Sequence, residues 1–485
     1  MINQLKKDKI TLLVSICISF IYIIPFIVNN NYVVDDWLRA DTGVTAWEGN
    51  GRPLSSIIMS SITMFGGGVK LFGDGALYDI FPFTIIACSF IMIFCGYIIC
   101  NELNVKSELM KILCIISPLT TTFFIGNLYF RFDSLIMSLA CLGAIYQSRL
   151  SSSSSLTHWI ISIFVGFISI SIYQASIPFL LTYHLISCYG IHEKGGFRRI
   201  YIVTMKMLAS LISSFILYKV MIHAFFSDSA YTSSYTKIHS EIIPINIDGI
   251  HIFYENFISF LSLIYKSSSV LFIYITCIIL VISISFAILL KQRKALPIFV
   301  LIPLVILTSF APYLLLKSPI VEPRVLISFG LVFCLIAKSI DLLGKNKVVS
   351  CVLFLYLSIL NFSQAYGVSN AFNTYQRIDR VTAQYISDKL IDKGYKTGDK
   401  IVINGFPSYP DSVKRIYSTI PVSKYLVGSS FANYRFKYSL MKQYGISSPL
   451  PLTDKFSGKG IIVIDNNLIK LIKFDDGYQI NIKRM

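Results

Sequence analysis

Two adjacent carboxylates, Asp35 and Asp36, follow the first long apolar run of the chain, in Tyr32-Val-Val-Asp-Asp-Trp-Leu-Arg39. Ionised groups beside a bilayer are costly unless they are solvated, paired or used, and anchoring a helix does not require an acidic pair. A carboxylate held there can take a proton from an attacking hydroxyl, the work of a general base. The structural alternative is an ordinary helix salt bridge, since Asp35 and Arg39 stand four residues apart. Further polar groups recur where other apolar runs end: Arg52 in Gly51-Arg-Pro-Leu54, Arg131 and Asp133 in Tyr129-Phe-Arg-Phe-Asp133, Tyr173 and Gln174, Lys219 with His223, and Glu322 and Arg324 in Leu316-Lys-Ser-Pro-Ile-Val-Glu-Pro-Arg324. Each alone reads as readily as a helix-end anchor or an internal ion pair. Together they bring cations and carboxylates to one face, the distribution that a membrane-surface active site needs.

The elements that must position these groups are set by composition. Of 485 residues, 54% are hydrophobic and 14% charged, and the mean hydropathy of +0.65 is far above that of a soluble chain. A span needs about 20 apolar residues to cross ~30 Å of hydrocarbon. Eleven such runs lie near 10–28, 79–100, 109–126, 134–149, 157–173, 175–190, 203–225, 269–290, 296–315, 326–343 and 348–366, with Tyr173-Gln-Ala-Ser176 dividing 157–190 into two spans or a re-entrant hairpin. The loops on one side carry sixteen basic residues (Lys6, Lys7, Lys9, Lys106, Lys111, Arg149, Lys194, Arg198, Arg199, Lys206, Lys291, Arg293, Lys294, Lys338, Lys345 and Lys347) against five acidic ones. The positive-inside rule therefore places the N-terminus in the cytoplasm, and an odd number of spans places the first loop, 29–78, and the tail from about 367 outside. The first apolar run lacks a small-residue cleavage site after it and reads as a retained helix.

The first loop holds Trp37 and Trp47, which mark an interfacial helix along the headgroups, and Gly66-Gly67-Gly68 reads as a bend. The formal charge of +17 is divided between topology and a tail with eighteen basic and nine acidic residues. A basic outer domain suits anionic headgroups or an anionic glycan rather than nucleic acid, or is simply a solvated surface. In that tail, apolar positions repeat at helical spacing over 371–394, while Lys400-Ile-Val-Ile-Asn404 and Gly460-Ile-Ile-Val-Ile-Asp465 read as buried strands, giving a small α/β domain. The ten cysteines all fall within the apolar runs and the six histidines match no metal-ligand spacing. No P-loop, dinucleotide fingerprint, HExxH or GxSxG occurs, and the cytoplasmic loops are too short to fold a nucleotide-binding domain.

The acidic pair after the first span, the Gly-Arg-Pro turn in a long first loop, and the Phe-Arg-Phe-Asp, Tyr-Gln-Ala-Ser and Glu-Pro-Arg segments together resemble the GT-C glycosyltransferases that use polyprenyl-phosphate sugars. Within them, the combination is similar to the serotype-converting O-antigen glucosyltransferases of bacteriophages and enteric bacteria, over residues 1–370. The resemblance implies an all-α polytopic membrane protein of about eleven spans, catalytic over 1–366, with a periplasmic α/β domain at 367–485, in the bacterial inner membrane. It implies inverting transfer of glucose from undecaprenyl-phosphate-glucose to lipid-linked O-antigen, with no required cofactor or metal and no nucleic-acid partner. Asp35 would be the base, and Asp36 would orient the acceptor or hold a neighbouring cation. A planar fork of donors grips phosphate oxygens better than a point charge, so Arg324 and Arg131 are expected to stabilise the departing phosphate, with Arg52 and Lys219 as further candidates. Arg39, Asp133, Tyr173, Gln174 and Glu322 complete the expected substrate-binding set. An O-antigen polymerase or ligase shares the location, but its resemblances centre on a large loop late in the chain; a flippase places its charges on broken helices near the bilayer middle.

Overall fold

The computed structural model describes residues 8–226, 237–289, 296–344, 348–446 and 456–483. Lys6, Lys7, Lys291, Arg293, Lys294, Lys345 and Lys347, all used in the topology count, lie outside the described residues, as does residue 290 at the end of the 269–290 run. The chain is mostly helical with a small sheet near its C-terminal end. Among the described residues, five helices are long and apolar enough to cross a bilayer: Lys9–Asn29, Phe83–Glu102, Gly196–Phe226, Val270–Leu289 and Val348–Asp392. Their outward sides carry large exposed apolar residues such as Leu13, Ile216, Val281 and Val352, a surface that water would penalise and lipid would not.

Several expected spans take a different form. The 109–126 run is helical only over Glu108–Ile116; Pro118 lacks the N–H that the next turn requires, and the chain continues through a 3-10 turn, Thr122–Phe124, into the short helix Ile125–Tyr129. The 296–315 run ends its helix at Thr308 before a 3-10 turn containing Pro312, and the 326–343 run becomes α-helical only from Gly330. The runs at 175–190 and 203–225 belong to one 51-residue element, Ser176–Phe226, bent at Gly196 with φ 68° and ψ −178°, a conformation open essentially to glycine. The last run, 348–366, does not stop at the proposed domain boundary but continues as a single helix to Asp392. A further helix, Ile247–Ser267, begins at Asn246, whose side chain caps the Gly249 amide. Asp248, Glu255 and Lys266 interrupt its hydropathy, so it is amphipathic rather than span-like.

The tail sheet has the order β1-β4-β3-β2 (Lys400–Asn404, Gly477–Ile482, Ile469–Phe474, Ile461–Asp465), with β1 and β4 parallel and the other pairs antiparallel. β1 is buried as expected, but β2 is an edge strand with Ile461 and Ile462 largely exposed, because β3 covers one side of it and nothing described pairs with the other. The sheet packs through Ile401, Ile403, Leu471 and Ile480 onto Ala383, Ile386 and Leu390 of the long final helix, and the same core takes in Trp37 from the first loop. Trp37 and Trp47 are both buried. Neither lies along a membrane surface: tertiary packing outbids the interfacial preference of indole.

Candidate active site

The helix Lys9–Asn29 ends at Asn30 in the left-handed region, and Val34 takes φ 47°, so the chain doubles back before the helix Asp36–Thr42 begins. This turn sends the two adjacent carboxylates in different directions. The Asp35 side chain is 53% exposed, with Arg39 Nη2 at 3.9 Å. Asp36 is fully buried. Its Oδ2 accepts the backbone N–H groups of Val33 and Arg131, each at 3.2 Å, while Oδ1 has no partner among the described residues. Burial pushes its carboxyl up to about 8; the Arg39 charge and the two amide bonds work downward, and the Asp133 charge works upward. Asp36 is thus shielded from solvent in this structure. It ties the first loop to the Arg131 segment.

Asp133, only 4% exposed, is the hub of the cluster. Its Oδ2 accepts Arg39 Nη1 at 2.9 Å, and its Oδ1 accepts Trp47 Nε1 at 2.7 Å and Arg52 Nη1 at 3.3 Å. Arg39 also lies over the Trp47 ring at 4.1 Å. Three donors thus share one buried carboxylate, which ties the first loop to the Arg131–Asp133 segment. Arg131 is likewise withdrawn. Its guanidinium lies between the Tyr32 and Phe81 rings, 4.2 Å from each, and Nη2 reaches Asn30 Oδ1 at 2.7 Å and Asp79 Oδ2 at 3.0 Å. The expected phosphate contact from Arg131 does not fit this burial.

Arg52 and Arg324 remain open to a ligand. Arg52 is 15% exposed, with its guanidinium 5.7 Å from the centroid of the Tyr173 ring. It is aimed by the turn before it: Gln174 Nε2 donates to the Gly51 carbonyl at 2.8 Å, and the Tyr218 hydroxyl donates to the same oxygen at 3.0 Å. Gly51 has φ 70°, and a Cβ there would stand 2.6 Å from the Tyr218 hydroxyl, so both shape and backbone demand glycine. Gln174 is thus spent on the turn, and Tyr173 is buried beneath Arg52. Arg324, 26% exposed, holds Glu322 Oε2 at 2.6 Å and lies 4.8 Å from the centroid of the Phe130 ring. Arg52 and Arg324 are both within electrostatic reach of the Tyr173 phenol. Lys219 is instead exposed beside Phe215, and its neighbour Tyr218 is the residue that faces the cluster.

Sequence reasoning missed Asn30, Tyr32, Asp79, Trp47 as a hydrogen-bond donor, and Tyr218. Asp79 carried a usable signal, an acid at the start of an apolar run; Tyr218 carried none, because helix phase at one-residue resolution decides between it and Lys219.

Residues 24–335 match the family described as glucosyl transferase GtrII. That stretch contains every group from Asp35 to Arg324. An uncharacterized 55.3 kDa protein from the gtrB 5′ region of Salmonella phage P22 is 27% identical over 476 residues, covering 93% of each chain.

Proposed function

The chain belongs to the GtrII glucosyl transferase family and is a glycosyltransferase, and from that premise we propose that it transfers glucose from undecaprenyl-phosphate-glucose to O-antigen on the periplasmic face of the inner membrane, converting serotype. The gtrB setting of the phage relative supports the serotype reading. The acceptor hydroxyl attacks the anomeric carbon and gives its proton to Asp35. The bond from that carbon to the phosphate oxygen breaks, and the electron pair leaves with the polyprenyl phosphate, whose charge Arg324 and Arg52 stabilise. One displacement inverts the anomeric centre. The donor brings its own leaving group, so the step consumes no nucleotide.

The observation that carries this reading is the division of labour around one buried hub. Asp35, open to solvent, is linked through Arg39 and Asp133 to Arg52, while Asp36, Arg131 and Asp133 are buried behind as framework. Such a framework fixes the loop before substrate arrives, which is what electrostatic catalysis requires. The test supplies membranes containing the protein with polyprenyl-phosphate-[14C]glucose and lipid-linked O-antigen. Label should move to the glycan in the inverted configuration. Label that stays on the lipid, in membranes with verified protein, refutes the proposal.

A further inference from the structure

We propose that a second site, formed where the Ser134–Ser151 helix runs into the Leu156–Ile172 helix beside the bend at Gly196, binds the phosphate of an anionic glycerophospholipid. A cavity of about 540 Å³ is lined there by three consecutive serines, Ser152 to Ser154, and by Arg198, Arg199 and Lys206. The positive-inside rule explains why cations occur in these loops. It does not explain why cations of one helix, Ser176–Phe226, converge with serines of the 152–154 turn on a single cavity. Like charges brought together repel unless something of opposite sign is shared between them. Among the described residues, none of the three cations is in an ion pair, and the Lys206 ammonium donates to the Ser153 carbonyl at 3.2 Å. Two guanidinium forks and an ammonium, with the Ser154 hydroxyl beside them, form a donor set suited to phosphate oxygens, while the Ser152 hydroxyl donates to the Ser148 carbonyl at 2.8 Å.

The cavity is held in shape from both sides. Trp159 Nε1 donates to the Lys206 carbonyl at 3.1 Å, locking the two helices together below it, and Ser153 Oγ is fixed against His158 Nδ1 at 2.9 Å. The glycine bend at 196 starts a new helix direction, which is what brings Arg198 and Arg199 over the serines.

A lipid rather than free phosphate is indicated by the flanks. Leu156, Ile160, Phe164 and Ile168 form an exposed stripe at four-residue spacing on the helix below the serines, at 69, 43, 56 and 45% exposure, and Ile202 and Met205 continue the apolar surface on the neighbouring helix. Acyl chains would lie along that stripe with the headgroup in the cavity, the arrangement of basic lipid sites between membrane helices. This inference is independent of the transfer reaction.

The test uses the full-length protein in detergent, with native mass spectrometry to read bound lipid during titration with phosphatidylglycerol or phosphatidylcholine. Phosphatidylglycerol should be retained and phosphatidylcholine not. At roughly a factor of five per cation near the surface, the R198Q/R199Q/K206Q protein should bind phosphatidylglycerol about a hundredfold more weakly, and R198K/R199K within a few-fold of wild type. Equal retention of the two lipids by the wild-type protein overturns the proposal without reference to any variant. So does an unchanged phosphatidylglycerol affinity in the triple variant. Displacement of the lipid by millimolar inorganic phosphate would assign the cavity to a soluble anion, and preference for a polyprenyl phosphate would assign it to a different lipid; either result overturns the lipid class named here.

Discussion

Replacing Asp35 by Asn separates chemistry from architecture. The amide keeps the size of the carboxylate but cannot accept the acceptor's proton, and loss of a positioned base costs about 10²–10⁴ in rate, or ~2.7–5.4 kcal/mol of barrier. The structural loss is far smaller. Asp35 is half exposed and its one ionic contact among the described residues, to Arg39, is at 3.9 Å, whereas Arg39 keeps its 2.9 Å contact to Asp133. A solvent-screened pair of this kind is worth at most ~0.5 kcal/mol. Asp36→Asn is the internal control: its amide oxygen can take both backbone donors, and its NH₂ would replace an oxygen that has no partner among the described residues. Its cost is an unsatisfied donor, on the order of 1–3 kcal/mol of stability, with turnover of the folded protein within about tenfold of wild type. The assay is glucosylation of O-antigen in cells lacking the native gene, with membrane levels measured in parallel. Asp35→Asn at wild-type turnover would refute the base assignment, and a dead but well-folded Asp36→Asn beside it would move the base to the buried neighbour.

Arg324→Ala should lower kcat/KM for transfer by about 10²–10³, as removal of one stabilising donor does, and Arg324→Lys should recover part of the loss because charge survives without the fork; steady-state kinetics with the lipid donor decide this. Asp133→Ala leaves the buried Arg39 without its closest carboxylate partner, so thermal or denaturant unfolding should show a loss of roughly 3–5 kcal/mol, with Asp133→Asn milder. The Asp36 carboxyl, raised to about 8 from an ordinary value of 3.8, binds its proton more tightly in the folded chain. Its contribution to stability is therefore complete below pH 4 and is lost as pH rises through about 8. Unfolding midpoints measured between pH 5 and 8 should decline, and Asp36→Asn should flatten the decline.

Much of the framework was legible because it is written locally. Apolar length marked the membrane-length helices, and Tyr173-Gln-Ala-Ser176 marked the break between Leu156–Ile172 and Ser176–Phe226. The charged segments that cluster were also visible as segments. Which member of each segment is exposed was not, because that depends on partners distant in sequence. Arg131 and Arg324 look alike along the chain, yet Asn30, Asp79 and two aromatic rings enclose the first, while the second stays partly open beside Glu322. Asp35 and Asp36 are neighbours of the same type, and the turn at Val34 together with the Val33 and Arg131 amides sets them apart. The exposed β2 edge escaped notice for the same reason: a run of isoleucines reads as buried until the strand order is known.

The uninterrupted helix from Val348 to Asp392 has a geometric consequence of its own. Its 45 residues make a rod of about 68 Å at 1.5 Å per residue. Toward its far end the rod and the elements around the sheet are clasped to the first loop: Trp37 enters the core shared by sheet and rod, Gln376 of the rod donates to the Tyr32 carbonyl at 2.6 Å, and Lys442, at the end of the Tyr434–Lys442 helix, meets Asp41 at 3.0 Å. A helix turns about 100° for each residue, so the compass bearing at which the sheet meets that loop is fixed by arithmetic: the number of residues in the rod. One residue more or fewer would swing the sheet through more than a quarter of a circle and pull Trp37 out of register. A change of seven residues would nearly restore the phase but move the sheet about 10.5 Å along the axis, so the clasp to the first loop fixes the length of the rod as well as its bearing.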